Sequence, residues 1–185
     1  MTTAPARAIL LSGPVGSGKT TLLQEVGEVL EESGVSYALV DLDWLAWLRP
    51  AADATVTAQD VLVRNLRGVW ETFRGAGVDR LVLARFVESH EQLEAIRAAL
   101  VDVDLLAMRL VVPRPVLEER LRRRDTGREL AEHLALVALQ EPSGPEDAVI
   151  DNDEGRRPRD VALEILGTAR WLDVDLALRT GAAAT

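Results

Sequence analysis

The chain contains no cysteine, which excludes disulfides and thiolate metal ligation. It has no apolar run near the roughly 20 residues that a membrane-spanning helix requires. Its first residues, Met1 to Arg7, do not pair a charged segment with an apolar run of signal-peptide length, so a cytoplasmic protein is expected. Excess positive charge is missing as well. Lysine plus arginine number 21 against 30 acidic residues, giving a net charge of −9 and a pI near 4.8. A broad phosphate-neutralising face, and with it general nucleic-acid binding, is therefore not expected. There is no internal repeat. Lysine itself is nearly absent: of the 21 basic residues only Lys19 is one.

That single lysine lies in the most informative stretch of the chain. Gly13-Pro14-Val15-Gly16-Ser17-Gly18-Lys19-Thr20 satisfies G-x-x-x-x-G-K-[ST], the phosphate-binding P-loop, at every required position. The flanks satisfy the motif's structural demand too. Ala8, Ile9, Leu10 and Leu11 read as a buried strand, and Leu22, Val26, Val29 and Leu30 recur at helical spacing after the loop. Glycines allow backbone N–H groups to converge on phosphate, and the following helix adds its positive N-terminal dipole. Lys19 is expected at the β- and γ-phosphates of a nucleoside triphosphate, and the Thr20 hydroxyl at Mg²⁺. Gly13 through Thr20, with Thr21, are the candidate nucleotide-binding residues. A chain so biased toward arginine keeps an ammonium where a compact point charge is needed.

With 185 residues, 48% of them hydrophobic, the sequence fits one domain spanning 1–185 with a sizeable core. The first helix is expected to end near Glu31-Glu32-Ser33, before Gly34. Val35 to Val40 is β-prone and runs into Asp41-Leu42-Asp43, which puts two carboxylates at a strand's carboxyl end, where open α/β sheets bind ligands. The alternative for the acids is a helix N-cap in a solvated turn. Trp44 and Trp47 follow, expected as core or as pocket wall.

After a loop over Pro50 to Thr57, Leu62, Leu66, Val69, Trp70 and Phe73 mark one face of a helix. Arg80 to Ala84 is a third strand. Ser89 and Gln92 form a capping box for a helix through Leu100, and Leu105 to Val112 is a fourth strand. Pro115 opens an arginine-rich helix carrying Arg120, Arg122, Arg123 and Arg124. Asp125-Thr126-Gly127 interrupts it, Arg128 follows, and Leu130 to Gln140 is helical. Seven of the basic residues fall between Arg109 and Arg128, a concentration that suggests an anion clamp beside a turn. Pro142 to Pro145 reads as a linker, Asp147 to Ile150 as a fifth strand, and Pro158 as the start of a helix through Ala169. In the tail, 170–185, Trp171 to Leu178 is expected to pack as a short apolar segment. Strands and helices alternate, which implies an α/β fold: a parallel sheet with helices on both faces.

Over roughly residues 6 to 168 these features resemble the small P-loop kinases, the nucleoside-monophosphate, gluconate, shikimate, adenylylsulfate and chloramphenicol phosphotransferase-like group. The resemblance implies a three-layer P-loop NTPase fold with strand order 2-3-1-4-5 and an arginine-rich lid over about 114–140. It also implies ATP and Mg²⁺ as cofactors and phosphoryl transfer to a small-molecule acceptor. Val40-Asp41-Leu42-Asp43 looks like the acidic motif that holds the acceptor hydroxyl, with Asp43 or Asp41 as the base and the other acid near the metal's water. Val116 to Arg124 looks like the helix into the lid, where Arg120 would cover adenine and Arg124 the phosphates, with Arg123 and Arg128 closing over the transferring group. Val149-Ile150-Asp151-Asn152 and the segment from Pro158 look like the fifth strand and adenine loop, which makes Asn152 and Pro158 cofactor-binding candidates.

One departure stands out. Many kinases of the group carry an acid at the end of the third strand, where this chain has Ala84-Arg85. Arg85 would then meet an anionic acceptor group or form a surface salt bridge. The guanine-specificity and switch motifs of GTPases are not recognisable, which favours ATP. His90 and His133 read as surface or helix residues. The alternatives to a kinase are a nucleotide-dependent ATPase or switch acting on a protein partner, and a kinase-like protein that binds nucleotide without turnover.

Overall fold

Five strands and seven helices make up the computed structural model, which describes residues 5–51, 53, 55–139 and 144–172. In chain order these are β1 (Ala6–Ser12), α1 (Lys19–Glu32), β2 (Ala38–Asp41), α2 (Leu42–Leu45), α3 (Ala58–Gly75) and β3 (Arg80–Ala84). Then follow α4 (His90–Ala99), β4 (Val103–Val111), α5 (Arg114–Arg124), α6 (Gly127–Leu139), β5 (Ala148–Asp151) and α7 (Pro158–Thr168). The strands form one parallel sheet in the order β2-β3-β1-β4-β5. This is the three-layer P-loop order implied by the resemblance. β1, the strand that feeds the P-loop, is central.

Burial on both faces explains why β1 reads as an unbroken apolar run. Its residues alternate between two cores. Ile9 and Leu11 join Val82, Met108 and Ile150 under α1 and α7, while Ala8 and Leu10 join Val40, Leu83 and Ala107 under α3 and α4. A third, smaller cluster of Val112, Leu117, Leu121 and Val137 lies beneath α5 and α6, and Val15 of the P-loop packs against it.

Local chemistry sets several helix boundaries. Thr57 and Asp60 form a reciprocal capping box at the start of α3. At α4, Ser89 accepts from the Gln92 backbone as expected, but the Gln92 side chain accepts from the Glu88 N–H, one residue before the cap. β3 spans Arg80 to Ala84 as read from the sequence, and α1 gives way at Ser33, just before Gly34.

The main difference lies after β2. Asp41 caps a single helical turn, accepting from the Asp43 N–H at 3.2 Å. That turn buries Leu42 and packs Leu45 and Ala46 against the α3–α4 core. Asp43, Trp44 and Trp47 are left outside. Neither indole is core and neither lines the large cavity: Trp44 is 70% and Trp47 76% exposed. The inward face of so short a turn was already filled by aliphatic residues. Gln140 to Ser143, and the tail from Asp173, including most of its expected apolar segment, lie outside the described residues. Among those described, no helix is long and apolar enough to cross a membrane.

Candidate active site

All five strands point their carboxyl ends toward the same edge of the sheet, and the candidate residues gather there. A cavity of about 920 Å³ opens at this edge. Its lining includes Gly16, Gly18, Lys19, Thr20 and Thr21 from the P-loop, Asp41 and Asp43 after β2, Arg120 and Arg124 from α5, and Asn152 and Pro158 after β5. Residues separated by more than 130 positions are thereby brought to one wall.

The P-loop curls because three of its glycines hold positive φ: Gly13 at 136°, Gly16 at 82° and Gly18 at 92°. Space is as restrictive as conformation. A Cβ at position 13 would lie 2.8 Å from the Leu110 carbonyl, and one at position 18 would lie 2.8 Å from the Asn152 amide. Gly16 rests on Leu121, which seats the lid helix directly on the loop. Gly13, Pro14 and Ser17 are buried and do not line the cavity.

Lys19 donates to the carbonyls of Gly13 at 2.9 Å and Pro14 at 3.0 Å. Burial lowers its pKa from 10.5 to about 8. Asp43 and Asp41 act in the opposite direction, and Arg124 adds to the lowering. An ammonium whose burial outweighs the two carboxylates near it gains from an anionic ligand. Thr20 donates to Asp41 at 3.3 Å, so hydroxyl and carboxylate form an oxygen-only donor set at the loop's end, of the kind that suits Mg²⁺. Ser17 Oγ is buried with no partner among the described residues. These features fit a nucleotide's phosphates and a hard divalent cation.

Asp43 faces the cavity from the other side. Desolvation raises its pKa; Arg85 and Lys19 pull it down, and Asp41 raises it further. Arg85 meets Asp43 at 3.4 Å. Arg85, just past the end of β3, thus supplies the counter-ion of an acid in the turn after the neighbouring strand. Asp41 fulfils the N-cap expectation and also accepts from Thr20 at the end of the P-loop.

The arginines separate into two groups. Arg120 lines the cavity and donates to the Asn152 carbonyl at 3.0 Å. Arg124 lines it while held by Asp125 at 2.6 and 3.0 Å, and His133 Nδ1 lies 2.7 Å from the same carboxylate. Arg124, and then His133, hold the Asp125 pKa down to about 2. Arg122 and Arg123 turn to Glu118 and Glu119 along the outer face of α5. Arg128 is not brought to the cavity either: it is 91% exposed and bound to Glu132, one turn along α6. The expected closing role of Arg123 and Arg128 is not what this geometry presents, because each has an acidic partner at i±4 on its own helix.

Asn152, expected in an adenine loop, makes structural contacts of its own. Its side chain donates to the Ser17 carbonyl at 2.7 Å and its backbone to Val111 at 2.9 Å. Sequence reading missed three further features of the site. One is the buried Arg109–Glu146 pair, 3.5 Å apart, of which Arg109 reaches the cavity. The signal available was an arginine inside the otherwise apolar run from Leu105 to Val112. The second is Ser12, whose hydroxyl accepts from the Val87 N–H and orients the loop after β3. The third is His133, which sits eight residues beyond Asp125 and is joined to it only through the α5–α6 turn.

The profile of a family described as AAA domain matches residues 9–151. No curated protein matches the chain. Among solved structures, the tunicamycin resistance protein of Deinococcus radiodurans is 18% identical, with a TM-score of 0.59 over 88% of this chain and 95% of that one. The APS kinase of Mycobacterium tuberculosis, solved with AMPPNP and APS, is 20% identical, with a TM-score of 0.60 over 91% and 99%. A gluconokinase from Sinorhizobium meliloti 1021 is 19% identical, with a TM-score of 0.56 over 96% and 99%. The profile covers most of the sequence, and the structures align over nearly its whole length: the chain belongs to the AAA domain family and has the fold of the small P-loop kinases.

Proposed function

We propose that this protein is an ATP-dependent small-molecule kinase, transferring the γ-phosphoryl group of Mg-ATP to an acceptor hydroxyl. The observation that carries the reading is the convergence, in one cavity, of Gly16, Gly18, Lys19 and Thr20 of the P-loop with two carboxylates at and just beyond the end of β2. The similar proteins whose names include APS kinase and gluconokinase support the same reaction class.

In this reading Gly16, Gly18 and the start of α1 present N–H groups to the phosphates, and Lys19 leaves the Gly13 and Pro14 carbonyls to meet the β- and γ-oxygens. Thr20 and Asp41 would hold Mg²⁺, which would supply charge neutralisation. Asp43 accepts the acceptor's hydroxyl proton while the new O–P bond forms and the bond to the departing ADP oxygen breaks. Its raised pKa suits that task. Arg124, held by Asp125, offers a second cation to the transferring group, and Arg120 covers the base. The cytoplasmic location and the single-domain organisation over 1–185 remain part of this proposal.

The test is ATP consumption across a library of hydroxyl compounds, with mass-spectrometric detection of phosphorylated product. Asp43→Asn keeps the size and hydrogen bonding of the side chain but removes the proton acceptor. It is expected to leave the Kd for Mg-ATP nearly unchanged while lowering transfer by roughly two to four decades. Turnover that no hydroxyl compound stimulates, with Asp43→Asn as active as the parent, overturns the kinase reading in favour of an ATPase or switch.

A further inference from the structure

We infer that Trp44 and Trp47 form a binding platform for a planar ring in the acceptor, so that the substrate class is a hydroxyl compound carrying an aromatic or heteroaromatic ring close to the reacting hydroxyl. This rests on the kinase reading above for the word acceptor, but not for the binding itself. The two indoles are stacked on each other, with centroids 4.9 Å apart and planes inclined at 28°. They are nonetheless among the most exposed large hydrophobic side chains described. In a chain with only seven aromatic residues, counted as four Trp, one Tyr and two Phe, two stand together in solvent immediately after the candidate base.

The local fold explains the placement. Leu42, Leu45 and Ala46 point inward, so Asp43, Trp44 and Trp47 leave the same short turn together. Asp43 lines the cavity, and the indoles stand outside that lining, one and four residues further along the chain. The stack is already formed, so a ring added to its open face would not have to order two separate side chains first. Its size argues for a small molecule over a protein partner. Two tryptophans offer at most about 300–500 Å², whereas a stable protein interface buries about 1,200–2,000 Å² in total. Stacking on a flat indole tolerates many rings, because every aromatic system has a π-face.

Tryptophan fluorescence reads this directly. Trp70 is buried in the α3 core, and Trp171 is partly buried beneath Arg7 and Arg80, so ligand-induced changes in emission arise chiefly from Trp44 and Trp47. Matched probes differing only in the ring, phenyl β-D-glucoside against glucose and uridine against ribose, are titrated into the full chain with Mg-ADP present. The ring-bearing member of at least one pair is expected to quench emission and to bind at least about tenfold more tightly than its ringless partner. Trp47→Ala should weaken that binding by about tenfold and Trp47→Phe should largely restore it, with the Kd for Mg-ATP unchanged in both.

Equal binding within both pairs, or no binding by either ring-bearing probe at millimolar concentration, overturns the inference. So does a concentration-dependent dimer, seen by size exclusion, that Trp47→Ala abolishes. The two readings fail separately. Ring binding without any phosphorylated product removes the kinase and keeps the platform. Phosphorylation whose KM is indifferent to Trp47→Ala removes the platform and keeps the kinase.

Discussion

Raising the pH from 7 to 9 should weaken Mg-ATP binding by about tenfold. Lys19 is an ammonium whose pKa burial has lowered to about 8 in the ligand-free protein. Phosphate oxygens arriving beside it favour the charged form, so the pKa in the complex is higher than in the free protein. Binding therefore takes up a proton wherever free Lys19 is partly neutral. Below pH 8 the free lysine is mostly charged and affinity is at its plateau. Above pH 8 each unit costs up to tenfold, or about 1.4 kcal/mol, until the pKa of the complex is reached.

About half a proton should be taken up per nucleotide at pH 8, and nearly a whole one at pH 9. The last ionisation of a phosphate monoester is near pH ~6, so ATP itself does not titrate in this window. Calorimetry at each pH, in two buffers of different ionisation enthalpy, measures affinity and proton uptake together. Folding stability should move the other way. A lysine with a depressed folded pKa binds fewer protons in the native state than in the unfolded one between about 8 and 10.5, so the ligand-free protein gains stability as pH rises through that range. A Kd flat from pH 7 to 9 with no proton uptake would refute the assignment of Lys19 as a desolvated ammonium awaiting phosphate.

Lys19→Arg should lower turnover by at least about 10²-fold despite keeping the charge, because a planar fork cannot follow a point charge seated on the Gly13 and Pro14 carbonyls; steady-state kinetics decide it. Arg124→Ala should lower kcat far more than it raises the Kd for ATP, whereas Arg122→Ala and Arg128→Ala should each change kcat less than about twofold, since both lie on exposed helix faces with acidic partners. Equal losses at all three positions would mean that the arginines act as a diffuse field. Gly13→Ala should cost about 1–3 kcal/mol, a drop in Tm of roughly 2–12 °C in calorimetry, because it joins a positive φ to a 2.8 Å approach to the Leu110 carbonyl.

The parts of the fold that could be read from the chain are those where one physical signal dominates. β3 is an apolar run bounded by a charged residue at each end, and its limits match. The P-loop is fixed by glycines that backbone sterics make irreplaceable. α2 was invisible because four residues hold barely one helical period, so its hydrophobic pattern cannot be told from a loop. The misplacement of Trp44 and Trp47 follows from the same blind spot. Without the turn, two indoles look like core; with it, Leu42, Leu45 and Ala46 fill that role. For Arg128, charge and position alone suggested a clamp, but Glu132 one turn further on offered a nearer partner. Arg109–Glu146 and Asp125–His133 depend on how separate elements meet, and nothing in the local sequence encodes their distance.

Asn152 carries a consequence beyond its own contacts. Through one residue the chain joins the carbonyl of Ser17, the end of β4 at Val111 and the guanidinium of Arg120 on α5. A nucleotide spanning this site would touch the joint at both ends, with phosphates on the Ser17 side and the base on the Arg120 side. The two halves of the pocket therefore cannot loosen independently. A fault at either end reaches the other through a single residue, whose side-chain amide holds Ser17 and whose backbone carbonyl holds Arg120, so substitutions at positions 18 and 120, distant in sequence, should show non-additive effects that weaken once the Asn152 side chain is replaced.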